Sequence, residues 1–320
     1  MISVVFVAIS VYFFATTLAT SGHLAMKMHA DHLKRTAKEE KTESKRIVSQ
    51  FNKYRFVYAS VVLYVLAGFI DLSVNRLIPF YIRSCFAALD IPLYVILARI
   101  ALNETLDGKQ TIGVLLALIG CACAVALGAH PVDSRSREDL LKDVFSYRVG
   151  VLVSVSIPPF VLCVYFVREA VQRGSEMIGS NRLFILSCAV FSSSYTATWA
   201  SLLVRIVSEL VHHSILDVNT ICTGIVLVIV SIGQLTTMAD MHALFKSVVS
   251  MPFYLILNAA GIVVLSSIIF NEIPNHVHLF ALCMMLGFLG IALIIHKAPE
   301  ELEQDPIEDE ENQSLVSVRE

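Results

Sequence analysis

The segments LNETLDG (Leu102–Gly108) and FNEIPNH (Phe270–His276) occupy matching places in the chain. In each, an Asn-Glu dipeptide closes a run of apolar residues that is long enough to cross a bilayer, and another apolar run follows. Superimposing Glu104 on Glu272 therefore aligns two consecutive apolar runs with two others. This agreement predicts an internal duplication of the fold.

The runs that follow the two glutamates share further features. The first contains Gly120, and the second contains Gly287 and Gly290. Each run then closes with a histidine and a proline, in GAHP at 128–131 and in HKAP at 296–299. These similarities strengthen the predicted duplication.

The composition is that of a membrane protein. Hydrophobic residues make up 56% of the chain and charged residues only 16%, whereas soluble proteins average about 45–50% and about 25%. The mean hydropathy is +0.71. We therefore predict an all-α polytopic membrane protein.

The apolar runs predict about nine transmembrane helices. They lie approximately at Ile2–Leu24, Phe56–Val74, Ile78–Leu102, Thr111–Gly128, Arg148–Val167, Leu183–Val204, Thr220–Met238, Val249–Phe270 and Val277–Ile295. The corresponding organisation is a first helix (1–27), a basic loop (28–55), a first repeat half (56–131), a linker with two helices (132–218), a second repeat half (219–299) and an acidic tail (300–320). The segment SREDLLKDVF (136–145) mixes charged and apolar residues and predicts a short interfacial helix.

The distribution of basic residues predicts the orientation. The loop from Met26 to Arg55 is the most basic stretch, and cytoplasmic loops concentrate Lys and Arg. We therefore expect this loop inside, the N-terminus outside, and the acidic tail inside and disordered. The two copies of the repeat are offset by an odd number of spans, so they would cross the membrane in opposite directions. Glu104 would then lie at the inner face and Glu272 at the outer face.

Inverted repeats are typical of secondary transporters, whose substrate binds near the midplane between the repeats. In such a protein Glu104 and Glu272 would form the mouths, or gates, of one pathway. The alternative is that the two glutamates only mark where helices leave the lipid.

Acidic residues inside the predicted spans identify a candidate site. A charge at the centre of a lipid-bathed helix costs about 2.5–3.5 kcal/mol, and Asp71 and Asp90 both lie within spans. Carboxylate and amide oxygens suit hard cations, and Mg²⁺ keeps several of its waters. We therefore expect Asp71 and Asp90 to bind a divalent metal cation as substrate, with Asn75, Gln234 and Asn258 beside them in the ion pathway.

A structural role is the alternative for the same residues. Arg83 precedes Asp90 by two helical turns and would neutralise it by pairing, and each amide would serve as a bridge between helices. The hydroxyl-rich stretch AVFSSSYTATWASLL (189–203) fits close helix packing better than a wet cavity. All seven cysteines lie in apolar runs and are expected to be free, buried thiols.

The sequence contains none of the common enzyme motifs. There is no HExxH helix, no glycine-rich phosphate loop and no GxSxG elbow. The histidines at His29 and His32, and at His212 and His213, have no carboxylate cluster beside them, which argues against a soft-metal site. We therefore expect no enzymatic activity and no cofactor. The basic loop is interleaved with acidic residues, so nucleic-acid binding is not expected either.

The stretch from Gly233 to Glu272 resembles the NIPA-type magnesium transporters, a branch of the drug/metabolite transporter superfamily. The similar features are a glutamine, an Ala-Leu pair, a proline with aromatic residues, a serine pair and a Phe-x-Glu ending, which here are Gln234, Ala243-Leu244, Pro252-Phe253-Tyr254, Ser266-Ser267 and Phe270-Asn271-Glu272. In the first half, the segment 102–131 resembles the Leu-Asn-Glu loop of the family and the helix that follows it. Asp71 is similar in place to an acidic residue of the family's second helix.

The resemblance implies a drug/metabolite-transporter-like fold and transport of Mg²⁺, or a related divalent cation, across the plasma membrane or an endosomal membrane. Alternating access at a midplane site would be the mechanism. The chain departs from the family at Arg83 and Asp90, which replace part of a proline-rich segment, and at Lys246, where the family has small polar residues. Two alternatives follow: a small-metabolite carrier in which Arg83 binds an anion, and a non-transporting membrane scaffold or receptor.

Overall fold

A computed structural model of the chain describes a bundle of α-helices. The described residues are 11, 14–15, 17–28, 58–70, 94, 97, 100, 108–126, 136–173, 175–213, 217–245, 247–270 and 276–296. They form α1 (17–28), α2 (Tyr58–Ile70), α3 (Gly108–Ala126), α4 (Arg137–Val144), α5 (Tyr147–Arg173), α6 (Ser175–His213), α7 (Val218–Leu244), α8 (Ser247–Phe270) and α9 (Val277–His296). Within this part of the chain every regular element is an α-helix, which confirms the predicted all-α class.

Among the described residues, four helices are long and apolar enough to cross a membrane. They are Arg137–Arg173, which takes in α4 and α5, Asn181–Val211 in α6, Val218–Leu244, and Val249–Phe270 in α8. Shorter apolar helices lie at Tyr58–Ile70, Thr111–Gly120 and Val277–Gly290. These lengths agree with the predicted integral membrane protein, while the set of about nine spans stays a prediction.

Helix α6 lies at the centre of the described bundle, where it packs on α5, α7 and α8. In its apolar section 67% of the residues are buried, against 0% for the apolar section of α5 and 11% for that of α7. Large apolar side chains such as Val155 and Ile229 are exposed on α5 and α7 and would face lipid in a bilayer. Polar side chains on α6 are thereby kept away from the outer surface.

Helices α3 and α9 form the most extensive helix pair of the described bundle. A Cβ added to Gly120 would lie 2.4 Å from the backbone nitrogen of Gly287, and one added to Gly290 would lie 2.5 Å from the carbonyl oxygen of Gly113. Small residues allow helices to approach this closely. Gly287 also faces Ile256 of α8, so the pair packs on the rest of the bundle there. The glycines that the sequence alignment matched are therefore interface residues.

A short helix covers the end of the bundle at which α8 terminates. Ser136 caps α4 by accepting a hydrogen bond from the backbone N–H of Asp139 at 3.2 Å. Leu140 is buried among apolar residues of α6 and α8, which are Leu202, Ile206, Leu210, Ile269 and Phe270. The guanidinium of Arg137 pairs with the carboxylate of Asp217 at 2.6 Å. The predicted amphipathic segment is thus confirmed as a helix.

Several helices extend past the predicted apolar runs. The run at Arg148–Val167 belongs to a helix that ends at Arg173, and the run at Leu183–Val204 belongs to α6, whose backbone is non-helical at Asn181 (φ −125°, ψ 27°). The ends of a helix can be polar, so the length of an apolar run underestimates the helix that contains it. Helix α1 likewise continues to residue 28, past the predicted end of the first span at Leu24, and Met26 and Lys27 in this extension are buried.

Candidate functional site

The hydroxyl-rich face of α6 joins this helix to α7 and α8. The hydroxyl of Ser194 donates to the carbonyl oxygen of Tyr254 at 3.1 Å, and that of Thr198 donates to Asn258 Oδ1 at 3.0 Å. The hydroxyls of Thr196 and Thr237 are hydrogen-bonded to each other at 3.2 Å. Ser194, Thr196 and Thr198 are buried, so this face of α6 is turned toward the interior of the described bundle.

Gln234 and Asn258, two of the predicted pathway residues, are both hydrogen-bonded in this region, to Tyr254 and to Thr198. The amide nitrogen of Gln234 donates to the hydroxyl of Tyr254 at 3.4 Å, and Tyr254 lies one turn before Asn258 on α8. We call the set the polar seam. Its members are Ser194, Thr196 and Thr198 of α6, Gln234 and Thr237 of α7, and Tyr254 and Asn258 of α8.

A histidine of α1 extends the polar seam toward one end of the bundle. The ring of His23 lies edge-on to that of Tyr254, with centroids 5.9 Å apart, and edge-on to that of Tyr64 at 4.9 Å. The Tyr64 hydroxyl contacts both ring nitrogens of His23, and it also lies 3.2 Å from Met238 Sδ.

Lys27 lies one turn beyond His23 and is 4% exposed. Its Nζ donates to the carbonyl oxygens of His242 and Phe245, at 3.1 and 3.3 Å. Helix α7 ends here, since the backbone of Phe245 is extended (φ −128°, ψ 151°). Carbonyls in a last helical turn have no partner within the helix, and a cation is favourable at that terminus. Lys27 thus acts as a C-terminal cap that a different helix supplies to α7.

Sequence reasoning missed this group, which we call the basic end of the seam: His23, Lys27 and His242. Lys27 stands next to the basic loop in the sequence and resembles one of its charges. A signal was present, because His23 and Lys27 stand four residues apart at the end of an apolar run and so share one helix face. The imidazole of His242 is fully buried, one turn after Met238.

The remaining predicted site residues lie outside the described residues. They are Asp71, Asn75, Asp90, Glu104 and Glu272, together with Arg83, the predicted partner of Asp90. Within the described part of the chain, no group of three or more His, Cys, Asp or Glu side chains is placed to hold a metal ion. The carboxylate site therefore stays a prediction.

The cysteines whose side chains are described are free thiols, as expected: Cys123, Cys163, Cys188, Cys222 and Cys283. Cys188 is buried, and Cys123, Cys163 and Cys283 are partly buried. Cys222 differs from the expectation, because its side chain is exposed on the outer face of α7. An exposed thiol on an apolar helix is accommodated by lipid as a small hydrophobic group.

The chain matches no protein-family model, no curated protein sequence and no solved structure. The similarity to magnesium transporters therefore rests on the residues quoted from the sequence alone.

Proposed function

We propose that this chain is a membrane transporter that moves Mg²⁺, or a related divalent cation, by alternating exposure of a site along the polar seam. The observation that carries the proposal is the seam itself, a row of hydrogen-bonding side chains inside a bundle whose outer helices are apolar. Polar residues inside a membrane bundle commonly mark an ion or substrate pathway. Among the described residues, the buried hydroxyl of Ser193 also has no hydrogen-bond partner, so its oxygen is available to water or to a cation.

In this proposal the residues take the following roles. Asp71 and Asp90 neutralise the ion, while Gln234 and Asn258, with Asn75, bind its hydration shell. The predicted second span contains both Tyr64 and Asp71, and their seven-residue spacing puts them on one face of a continuous helix. Tyr64 contacts His23 at the basic end of the seam. A continuous helix would therefore carry Asp71 on the face that is turned toward the seam, about 10 Å farther along its axis.

The pairing of α3 with α9 supports the inverted repeat. These helices correspond to each other in the predicted duplication, and a pseudo-two-fold axis brings equivalent elements together. Their contact is made by the glycines that the alignment matched, Gly120 with Gly287. In the proposed transporter Glu104 and Glu272, which immediately precede these two helices, form the mouths at opposite faces, with the C-terminus in the cytoplasm.

A carrier of a small anionic metabolite is the second candidate. It is favoured by the basic end of the seam, where a buried lysine lies beside two histidines. The described side chains that form the seam and its basic end include no carboxylate. A non-transporting scaffold, in which the seam only joins helices, is the candidate from another class.

Ion uptake by reconstituted vesicles separates these three functions. We expect purified protein in liposomes to take up Mg²⁺ saturably, with competition by other divalent cations and none by dicarboxylates or sugar phosphates. Protein carrying Asp90→Asn, which removes the charge at nearly constant volume, is expected to remain folded and to lose uptake. Uptake of anions in place of Mg²⁺ would establish the metabolite carrier, and flux equal to that of protein-free liposomes for every substrate would contradict transport.

A further inference from the structure

The contact made by Lys27 lies at the point where α7 and α8 join. Phe245 follows the last residue of α7, and α8 begins at Ser247. The bonds from Lys27 therefore hold the end of α1 to the joint between two helices that both line the polar seam. His23, one turn earlier on α1, faces Tyr64 and Tyr254. A displacement of α1 would thus uncover the seam and break the Lys27 contact together.

We infer that Lys27 is the latch of a gate that closes this end of the proposed pathway. The inference rests on the proposed transport function, because alternating access needs one end of the pathway to be sealed by contacts that break and form again. In the closed state the ammonium caps α7. In the open state the ammonium and the two carbonyl oxygens are hydrated, and solvent reaches the seam from that face of the membrane.

The chemistry of the contact suits a reversible seal better than a permanent one. When Lys27 leaves the contact, its ammonium becomes hydrated, and this hydration offsets the lost hydrogen bonds. The closed and open states can therefore be close in free energy. A permanent contact at this place would need only apolar packing. Met26, Phe245 and Val249 already provide such packing in the same cluster.

The opposite end of the bundle is closed by different residues. The guanidinium of Arg205, which is 8% exposed, lies 4.3 Å from the ring centroid of Phe270, the last residue of α8. Arg205 also bonds Glu209 at 3.4 Å, and the apolar cluster around Leu140 surrounds this end. Because these contacts share no residue with the Lys27 contact, one end can open while the other stays closed.

The latch is tested by the reactivity of a buried cysteine. Ser250 lies in the first turn of α8 at the same end and is fully buried, so Ser250→Cys in a protein without its native cysteines reports opening there. Lys27→Met keeps the length of the side chain and removes its charge. We expect it to raise the rate at which a membrane-impermeant thiol reagent labels Ser250→Cys by on the order of ten-fold, from one face of the vesicle only.

Two further variants make this result specific. Lys27→Arg keeps a charged donor and is expected to restore slow labelling. Arg173→Met removes an exposed charge at the same end, where Arg173 pairs with Glu169 at 2.5 Å, and is expected to leave the labelling rate unchanged. An unchanged labelling rate in Lys27→Met would overturn the latch. A rate that rises equally from both faces, together with a lower melting temperature, would also overturn it, because a purely structural cap behaves in that way.

The labelling assay needs no cargo, so its outcome is independent of the uptake assay. The Lys27→Met protein could be labelled faster from one face in vesicles that take up neither Mg²⁺ nor anions. That result would support the gate and contradict the proposed cargo. Measurable Mg²⁺ uptake, with no change in the labelling rate of the Lys27→Met protein, would support transport and contradict the latch.

Discussion

Replacement of Gly120 by alanine is expected to lower the melting temperature of the detergent-solubilised protein by roughly 5–10 °C. The new methyl group would lie 2.4 Å from the nitrogen and 2.7 Å from the Cα of Gly287. Both atoms belong to the backbone of α9, so no side-chain rotation relieves the overlap, and α3 and α9 must separate. Gly120→Leu is expected to prevent the pair from forming, which size-exclusion chromatography would record as loss of the monodisperse peak.

Gly224→Ala on α7 is the matched control. A Cβ added there meets no atom within 4 Å, and alanine is favoured over glycine in a helix by about 1 kcal/mol. Its melting temperature should equal or slightly exceed that of the unmodified protein. Equal melting temperatures for Gly120→Ala and Gly224→Ala would show that α3 and α9 do not meet at these glycines.

Gln234→Leu is expected to reduce Mg²⁺ uptake about ten-fold or more while the protein stays folded. Leucine has nearly the size of glutamine but offers no oxygen to a hydrated ion. A hydrogen bond to a charged group contributes about 1.5–3 kcal/mol, and about 1.4 kcal/mol corresponds to a factor of ten. Folding should survive because the bond between Gln234 and Tyr254 is long, at 3.4 Å.

Thr236→Val provides the comparison on the same helix. Thr236 is exposed, and its hydroxyl bonds the carbonyl oxygen of Gly233 within α7 at 2.8 Å. We expect its uptake to be normal. If Gln234→Leu also transports at the normal rate, Gln234 lies outside the pathway, and if the variant aggregates, the residue is a structural bridge between α7 and α8.

The helices themselves could be predicted from the sequence because lipid leaves few alternatives. A long apolar run in a membrane must form its hydrogen bonds internally, so run length alone identified α5 to α8. The hydroxyl-rich stretch likewise predicted a helix face turned toward neighbouring helices, as found around Ser194 of α6. These features depend on local sequence, which a single chain reveals.

The basic end of the seam could not be predicted in this way. Lys27 bonds a carbonyl that lies 215 positions away, and nothing local to Lys27 indicates which helix end it meets. A backbone carbonyl is also chemically identical at every residue, so the sequence carries no sign of the acceptor. The role of His23 depends in turn on Tyr64 of α2 and Tyr254 of α8, which converge only in the folded bundle.

The central claim is that the polar seam is a pathway open to each side of the membrane in turn. The most direct measurement is labelling of Ser194→Cys, a buried position in the seam, by an impermeant thiol reagent applied to either face of the vesicles. We expect labelling from both faces, and we expect saturating Mg²⁺ to slow it from both. Labelling from neither face, in protein whose melting temperature is normal, would contradict it and leave the seam as a set of bridges between packed helices.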